Sequence, residues 1–201
     1  MFLTLDPLAE NGEVFIGVED DHAWLPFRQQ IRIPISRVQL EQDTAKSIKD
    51  HVLATPGTEE YSKEVQFALS RMFLDHNRAG MALIEIITPP VIYTARVAAL
   101  TFSKITNILR EANVSTAMLH LGAVRCDVNV SLGVGGPRTE IKNLNSVRAI
   151  RESIHYEIGL QKELYLNGVP LQSRTKTWDG TATRTLRIKG GDQEYRFGFD
   201  K

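Results

Sequence analysis

The apolar run at residues 83–87, bounded by Gly80 on one side and Pro89-Pro90 on the other, most constrains what this chain can fold into. It is short, partly β-branched and closed by residues that interrupt regular structure, so it reads as a strand rather than a helix. Its middle residue, Glu85, is the anomaly. Alternation puts Glu85 on the same face as Leu83 and Ile87, with Ile84 and Ile86 opposite, so the carboxylate is expected in a largely apolar wall. A desolvated carboxylate needs a cation, a metal or hydrogen-bond donors, or it takes up a proton. The alternative is a strand edge, with Glu85 reaching water or pairing with Arg78.

Two further segments alternate in ways that carry chemistry. In residues 31–41, Ile31, Ile33 and Ile35 occupy odd positions, whereas Val38 and Leu40 occupy even ones. The phase slips beside Pro34, as a β-bulge there would make it do. After the slip Arg37, Gln39 and Glu41 share a face. In residues 125–132, Cys126, Val128, Val130 and Leu132 form one face, and Arg125, Asp127, Asn129 and Ser131 form the other. The glycine-rich turn at 133–137 returns the chain through Glu140, Lys142 and Asn143 as a β-hairpin. Either this polar face meets water, as half-solvated antiparallel sheets do, or it lines a concave site. Its mixture of Arg, Asp, Asn and Ser suits phosphate and metal chemistry better than a Lys/Glu solubility face. The turn is not a phosphate loop, because no Gly-Lys-Ser/Thr follows it.

Helical spacing is clear twice. Ala98, Phe102, Ile105, Leu109 and Ala112 step by four and three along one face of a helix over 94–113, with Asn113 able to end it. Asn145-Ser146 caps a second helix carrying Val147, Ile150, Ile154 and Ile158, which Asn167-Gly168 and Pro170 terminate. Residues 51–74, with Val65, Ala68, Leu69 and Met72, read as an inserted helix. Residues 13–18 read as a first strand, and 183–188 as a strand after the turn at Trp178-Asp179-Gly180. His22 and Trp24 read as a polar turn with one tucked indole. The basic residues Arg184, Arg187, Lys189 and Arg196, beside Tyr195 and Phe197, are either surface or RNA contacts.

Twenty-four basic and twenty-four acidic residues give a net charge of zero, so no general positive field recruits nucleic acid. The single cysteine, Cys126, excludes an internal disulfide and a multi-cysteine zinc site. It alternates onto the apolar face of its strand and reads as a packed thiol, not a nucleophile. No apolar run approaches the length of a membrane span, and the N-terminus lacks a secretory or Arg-rich transit pattern. These patterns together predict an α+β fold, a mostly antiparallel sheet with flanking helices on one side and a polar concave face on the other.

The stretch DHNRAGMALIEIITPP at 75–90 resembles the signature of the B subunit of the bacterial and organellar aspartyl/glutamyl-tRNA amidotransferase. RVQLEQDTAK at 37–46, LGAVRCDVNVS at 121–131, TEIKNLNS at 139–146 and LRIKGGDQEYRF at 186–197 resemble the same family in the same order. The resemblance implies a cradle-type catalytic domain over 1–201, incomplete at its N-terminus and without the C-terminal helical and tail tRNA-binding domains. The family's opening strand, with its Glu and His, has no counterpart here. The implied activity is that of a glutamine-hydrolysing Glu-tRNA(Gln) amidotransferase. ATP and Mg2+ serve to phosphorylate the glutamate carried on tRNA(Gln), and ammonia from a glutaminase A subunit displaces the phosphate. Its implied partners are that amidase-type subunit, a small accessory C-type subunit and Glu-tRNA(Gln), with no membrane.

On this resemblance Glu41 and Glu85 are expected to hold metal, and Glu85, Asp127 and Lys142 to be catalytic, with Asp127 a metal or positioning group. Arg125, Asn129 and Asn143 are expected at the phosphate or substrate. The family commonly has two consecutive acids where this chain has Glu41-Gln42, a form closer to mitochondrial members, which points to the mitochondrial matrix. The chain alone is expected to be inactive. The other readings are a non-catalytic fragment that contacts partner subunits and a plain RNA-binding module.

Overall fold

The computed structural model describes residues 6–19, 28–42, 46–50, 71–77, 79–133 and 135–188. The expectations for His22, Trp24, Arg78, Lys189, Tyr195, Arg196, Phe197 and the segment 51–70 lie outside them. The chain divides into two compact units, Met1–Gly12 with Pro34–Pro89, and Glu13–Ile33 with Pro90–Lys201. The division falls within two long strands, β1 (Ala9–Glu19) and β2 (Arg28–Gln42).

In the first unit β2 pairs antiparallel with β5 (Ala82–Ile87), giving the strand order β1-β2-β5. Ile35 here, and Ile33 in the part of β2 that belongs to the second unit, are buried, as their alternation along the strand requires. β3 (Lys46–Asp50) and β4 (Arg71–Asp75) form a separate antiparallel pair. Residues 71–74 were expected to close the inserted helix and instead form this strand. Met72 and Phe73 sit opposite Lys49 and Ile48, so cross-strand pairing decides their conformation over a short stretch of helical spacing.

The second unit holds the main apolar core. α1 (Ala95–Glu111) begins at Thr94, whose hydroxyl accepts the Val97 N–H, and Asn113 follows its end in the left-handed region at φ 55°. Its buried stripe is Ala95, Ala99, Thr101, Phe102 and Thr106. The expected stripe was rotated from this, because Thr101 and Thr106 satisfy their hydroxyls on Val97 O and Phe102 O and so enter the core without an orphaned donor. α2 (Val147–Leu166) begins at Ser146, which accepts the Ala149 N–H, and ends at Asn167 before Gly168 at φ 69°.

These helices pack on a sheet ordered β6-β7-β8-β9, from β6 (Cys126–Val130), β7 (Thr139–Leu144), β8 (Arg174–Trp178) and β9 (Thr183–Ile188). β6–β7 and β8–β9 are antiparallel, while β7–β8 is parallel, joined by α2 as a parallel pair requires. Val130, Ile141, Leu144, Ile150 and Ile154 form the core with Ala95, Ala99 and Phe102. Each fully buried Leu or Ile contributes roughly 1.5–3 kcal/mol relative to exposure. The mixed α+β class therefore holds, with three sheets among the described residues where a single one was expected.

A polar seam crosses this apolar interface. Glu157 of α2 accepts hydrogen bonds from Lys176 Nζ at 2.8 Å, Thr183 Oγ1 at 2.9 Å and Gln161 Nε2 at 3.0 Å. Gln161 Nε2 also reaches Thr139 Oγ1 and the Val130 carbonyl. The seam thus ties α2 to β6, β7, β8 and β9. A charged pair so placed survives burial only because its hydrogen-bonding capacity is largely met.

Candidate functional site

The first unit brings two of the expected carboxylates onto one face. In the β2–β5 register Gln39 lies opposite Glu85 and Glu41 opposite Leu83, so Arg37, Gln39, Glu41 and Glu85 point the same way. Glu41 and Glu85 are diagonal neighbours, a relation that puts residues about 7–8 Å apart. Gln39 Nε2 donates to Glu85 Oε2 at 2.5 Å. The expected burial is absent: Glu85 is exposed, although Leu83 and Ile87 on its face are half-buried. Among the described strands β5 is the last in the order β1-β2-β5, and a carboxylate at a sheet edge keeps its hydration. Glu85 is therefore the strand-edge alternative, paired with the Gln39 amide.

In the second unit the sheet's other face is polar. Asn129 pairs with Glu140 and Glu140 with Thr175, while Lys142 pairs with Thr177 and Thr177 with Arg184. Directly opposed residues share a face, so these side chains project away from the helices. Asp127 lies at a register shift: Cys126 faces Leu144 and Val128 faces Ile141, leaving Asp127 opposite both Lys142 and Asn143. This is a β-bulge, and it re-aims the strand. Strict alternation after Ile141 would turn Leu144 outward. With the extra residue, Ile141 and Leu144 are 0% and 2% exposed, while Asn143 is exposed. Asn143 takes up the extra residue in the left-handed region at φ 62°, which Asn tolerates better than most residues.

Asp127 stabilises that geometry directly. Its Oδ1 accepts the Asn143 N–H at 3.0 Å and its Oδ2 accepts Lys142 Nζ at 2.8 Å. Glu140 Oε1 also lies 2.8 Å from Lys142 Nζ. Partial burial acts to lower the Lys142 pKa, but the bonds and charges of Asp127 and Glu140 outweigh it and hold the ammonium above its ordinary value. Two of its three N–H groups are committed to carboxylates that together outweigh its charge, so the arrangement offers a fixed N–H donor on a hydrogen-bonding face. Glu140 lies on this face as its alternation with Lys142 suggests, whereas Thr175 was not singled out from sequence. The bulge was legible in Ile-Lys-Asn-Leu at 141–144, where two core residues stand three apart in a strand.

The remaining expected residues fall into place separately. Arg125 precedes β6 and is exposed, as is Asn129. Arg184 is exposed but is bound to Asp179, whose Oδ2 accepts its Nε at 2.6 Å. Backbone N–H groups of Ala182 and Thr181, then Arg184 and the Thr181 hydroxyl, hold the Asp179 carboxyl far below the usual range, so this pair closes the β8–β9 turn. Cys126 packs against the core, and burial, helped by the Asp127 charge, pushes its thiol up to about 12. No group of three or more His, Cys, Asp or Glu side chains is disposed to hold a metal among the described residues.

The sequence matches the GatB/GatE catalytic domain over residues 3–201. The chain belongs to that family. It is 38% identical over 185 residues to the B subunit of the aspartyl/glutamyl-tRNA(Asn/Gln) amidotransferase of Coprothermobacter proteolyticus, covering 88% of this chain and 36% of the relative. The corresponding protein of Prochlorococcus marinus subsp. pastoris is 36% identical over 201 residues, 96% of this chain and 38% of the relative. The B subunit of the mitochondrial glutamyl-tRNA(Gln) amidotransferase of Yarrowia lipolytica is 38% identical over 169 residues, 84% of this chain and 28% of the relative. The chain thus spans less than two fifths of the length of these curated relatives, which are both bacterial and mitochondrial. No helix among the described residues is long and apolar enough to cross a membrane.

Proposed function

We propose that this GatB/GatE domain is the amidating part of a heteromeric Glu-tRNA(Gln) amidotransferase. The reaction activates the side-chain carboxylate of tRNA-bound glutamate as an acyl phosphate and then replaces the phosphate by ammonia. The observation that carries this reading is the fixed Lys142 ammonium, 2.8 Å from both Asp127 and Glu140 on a polar sheet face. Transfer of a phosphoryl group to a carboxylate brings anions together, and oriented cations and amides lower that barrier without a general base. Lys142, whose charge Asp127 and Glu140 already balance, would donate its third N–H to the phosphate or acyl group, Arg125 would supply positive charge, and Asn129 and Asn143 would orient the group.

The donor set fits Mg2+, which ordinarily takes one or two carboxylates and completes its shell with water and substrate phosphates. Glu41 and Glu85, exposed on one face, are the residues that would hold it. ATP, when bound, supplies the phosphoryl group and Mg2+ offsets its charge. Ammonia is assigned to a separate amidase-type A subunit, with a small C-type subunit accompanying it, because Cys126, half-buried against the core with its thiol pKa raised, is unsuited to glutamine hydrolysis. The mitochondrial matrix is the proposed location, on the strength of Glu41-Gln42 in place of two acids.

The test is Glu85→Gln in the full complex co-expressed with both partner subunits. ATP-dependent formation of Gln-tRNA should be lost, while the melting temperature stays within roughly a few degrees, as for other exposed substitutions. Full retention of amidation removes Glu85 from the chemistry, and collapse of folding makes it structural.

A further inference from the structure

We propose that Asp127 is a positioning residue and not a metal ligand: it fixes the bulge that brings Lys142 and Asn143 out together on the polar face. The proposal rests on the functional reading above for what that face binds, and on geometry alone for how Asp127 acts.

Three features of the fold converge on this role. First, β7 has to deliver both Ile141 and Leu144 to the core, and only an extra residue between them does so. That residue is Asn143, whose positive φ is disfavoured for any side chain and is sustained by its surroundings. Second, one Asp127 oxygen accepts the Asn143 N–H at 3.0 Å, at the residue where the register shifts. Third, the other oxygen holds Lys142 Nζ, and Glu140, two residues before Lys142, grips the same ammonium. A single carboxylate therefore sets both the backbone that presents Asn143 and the direction of the Lys142 side chain.

Metal ligation by Asp127 conflicts with this arrangement. A carboxylate has lone pairs to spare, but a divalent ion bound to it would sit within a few ångströms of the Lys142 ammonium, where like charges repel strongly. The ammonium is instead held between Asp127 and Glu140, and what the bulge presents is its third N–H beside the exposed Asn143, hydrogen-bonding groups for an oxygen-rich ligand and not a net positive patch.

The experiment compares Asp127→Ala and Asp127→Asn in the assembled complex, with two readouts. The first is hydrogen exchange at the Asn143 N–H, measured by NMR, which is independent of turnover. It should accelerate in Asp127→Ala and change less in Asp127→Asn, whose side-chain oxygen still accepts that N–H. The second is amidation rate against Mg2+ concentration. In Asp127→Ala, kcat should fall by about 100-fold, the scale of a misplaced binding group, while the half-saturating Mg2+ stays within twofold. A tenfold or greater rise in the Mg2+ requirement, or rescue by high Mg2+, overturns the proposal in favour of a ligand. Unchanged Asn143 exchange overturns it as well, even in an active complex. If Asp127→Ala does not fold, the Mg2+ dependence of Asp127→Asn decides: a tenfold or greater rise in the requirement marks a ligand and overturns the proposal, and a requirement within twofold of wild type supports it. A wild-type complex that does not amidate refutes the functional reading, and the exchange result then decides the role of Asp127 by itself.

Discussion

Lys176 Nζ lies 2.8 Å from Glu157 Oε2, with side chains only 4% and 1% exposed, so a β8 cation and an α2 carboxylate meet inside the protein. Taking both charges out of water is costly, and the pair is tolerated because Thr183 and Gln161 share the carboxylate. Removing one partner strands the other. Lys176→Met is therefore expected to destabilise the domain by about 3–5 kcal/mol, whereas Glu157→Gln combined with Lys176→Met should recover much of that loss. Urea unfolding of the single and double variants checks it. A single-variant cost below about 1 kcal/mol would show that the pair behaves like a surface salt bridge.

The same carboxylate sets an acid limit. Burial alone would raise the Glu157 pKa, but hydrogen bonds from Lys176, Gln161 and Thr139, with the Lys176 charge, outweigh it and bring it below the ordinary 4.5. A folded-state pKa below the unfolded value means that the unfolded chain binds the extra proton. Stability from this group is therefore complete above the unfolded value and is lost as pH falls through the folded one. The gap in melting temperature between wild type and Glu157→Gln should be constant above about pH 6 and narrow steadily below about pH 4.5. A gap that widens on acidification would mean that burial wins over the hydrogen bonds.

What sequence disclosed and what it hid have physical causes. The ends of α2 were readable because Ser146 and Gly168 act locally, through one hydrogen bond and one backbone conformation. The faces of β6 were readable because period-two alternation survives in every fold that buries one side of a strand. β8 was hidden, since its core-facing Lys176 breaks the apolar pattern and the Glu157 that justifies it lies 19 residues away. The burial of Glu85 was misjudged for a related reason: apolar neighbours mark a strand but do not say whether it is central or at an edge. The Asp127 bulge lay between these cases. Its spacing is written in residues 141–144, but the carboxylate that completes it comes from the other strand.

Cys126 should be chemically quiet in the folded protein. With its thiol raised to about 12 by burial first and the Asp127 charge second, the thiolate fraction at pH 8 is roughly one in ten thousand, against about one in ten in the unfolded chain. Alkylation by iodoacetamide at pH 8 is expected to be slower in buffer than in denaturant by about three orders of magnitude. Comparable rates in the two conditions would show an accessible, ionisable thiol and would reopen a nucleophilic role.

Binding of tRNA by this chain alone should be weak and governed by salt. The net charge is zero, so association depends on local cations that release counterions from phosphate, each adding about 0.7–0.9 to the salt slope. Arg184 is a poor contributor, because Asp179 already accepts its Nε and would have to be displaced. The dissociation constant at physiological salt should therefore lie in the non-specific range, about 1–100 μM. Arg184→Ala should change the slope of log K against log salt by well under one unit. Sub-micromolar affinity would contradict this, and if it also persisted unchanged in chelator while the assembled complex failed to amidate, the polar faces would belong to an RNA-binding module instead of a site for phosphoryl transfer. Titrating labelled tRNA at several salt concentrations, with and without EDTA, separates these outcomes.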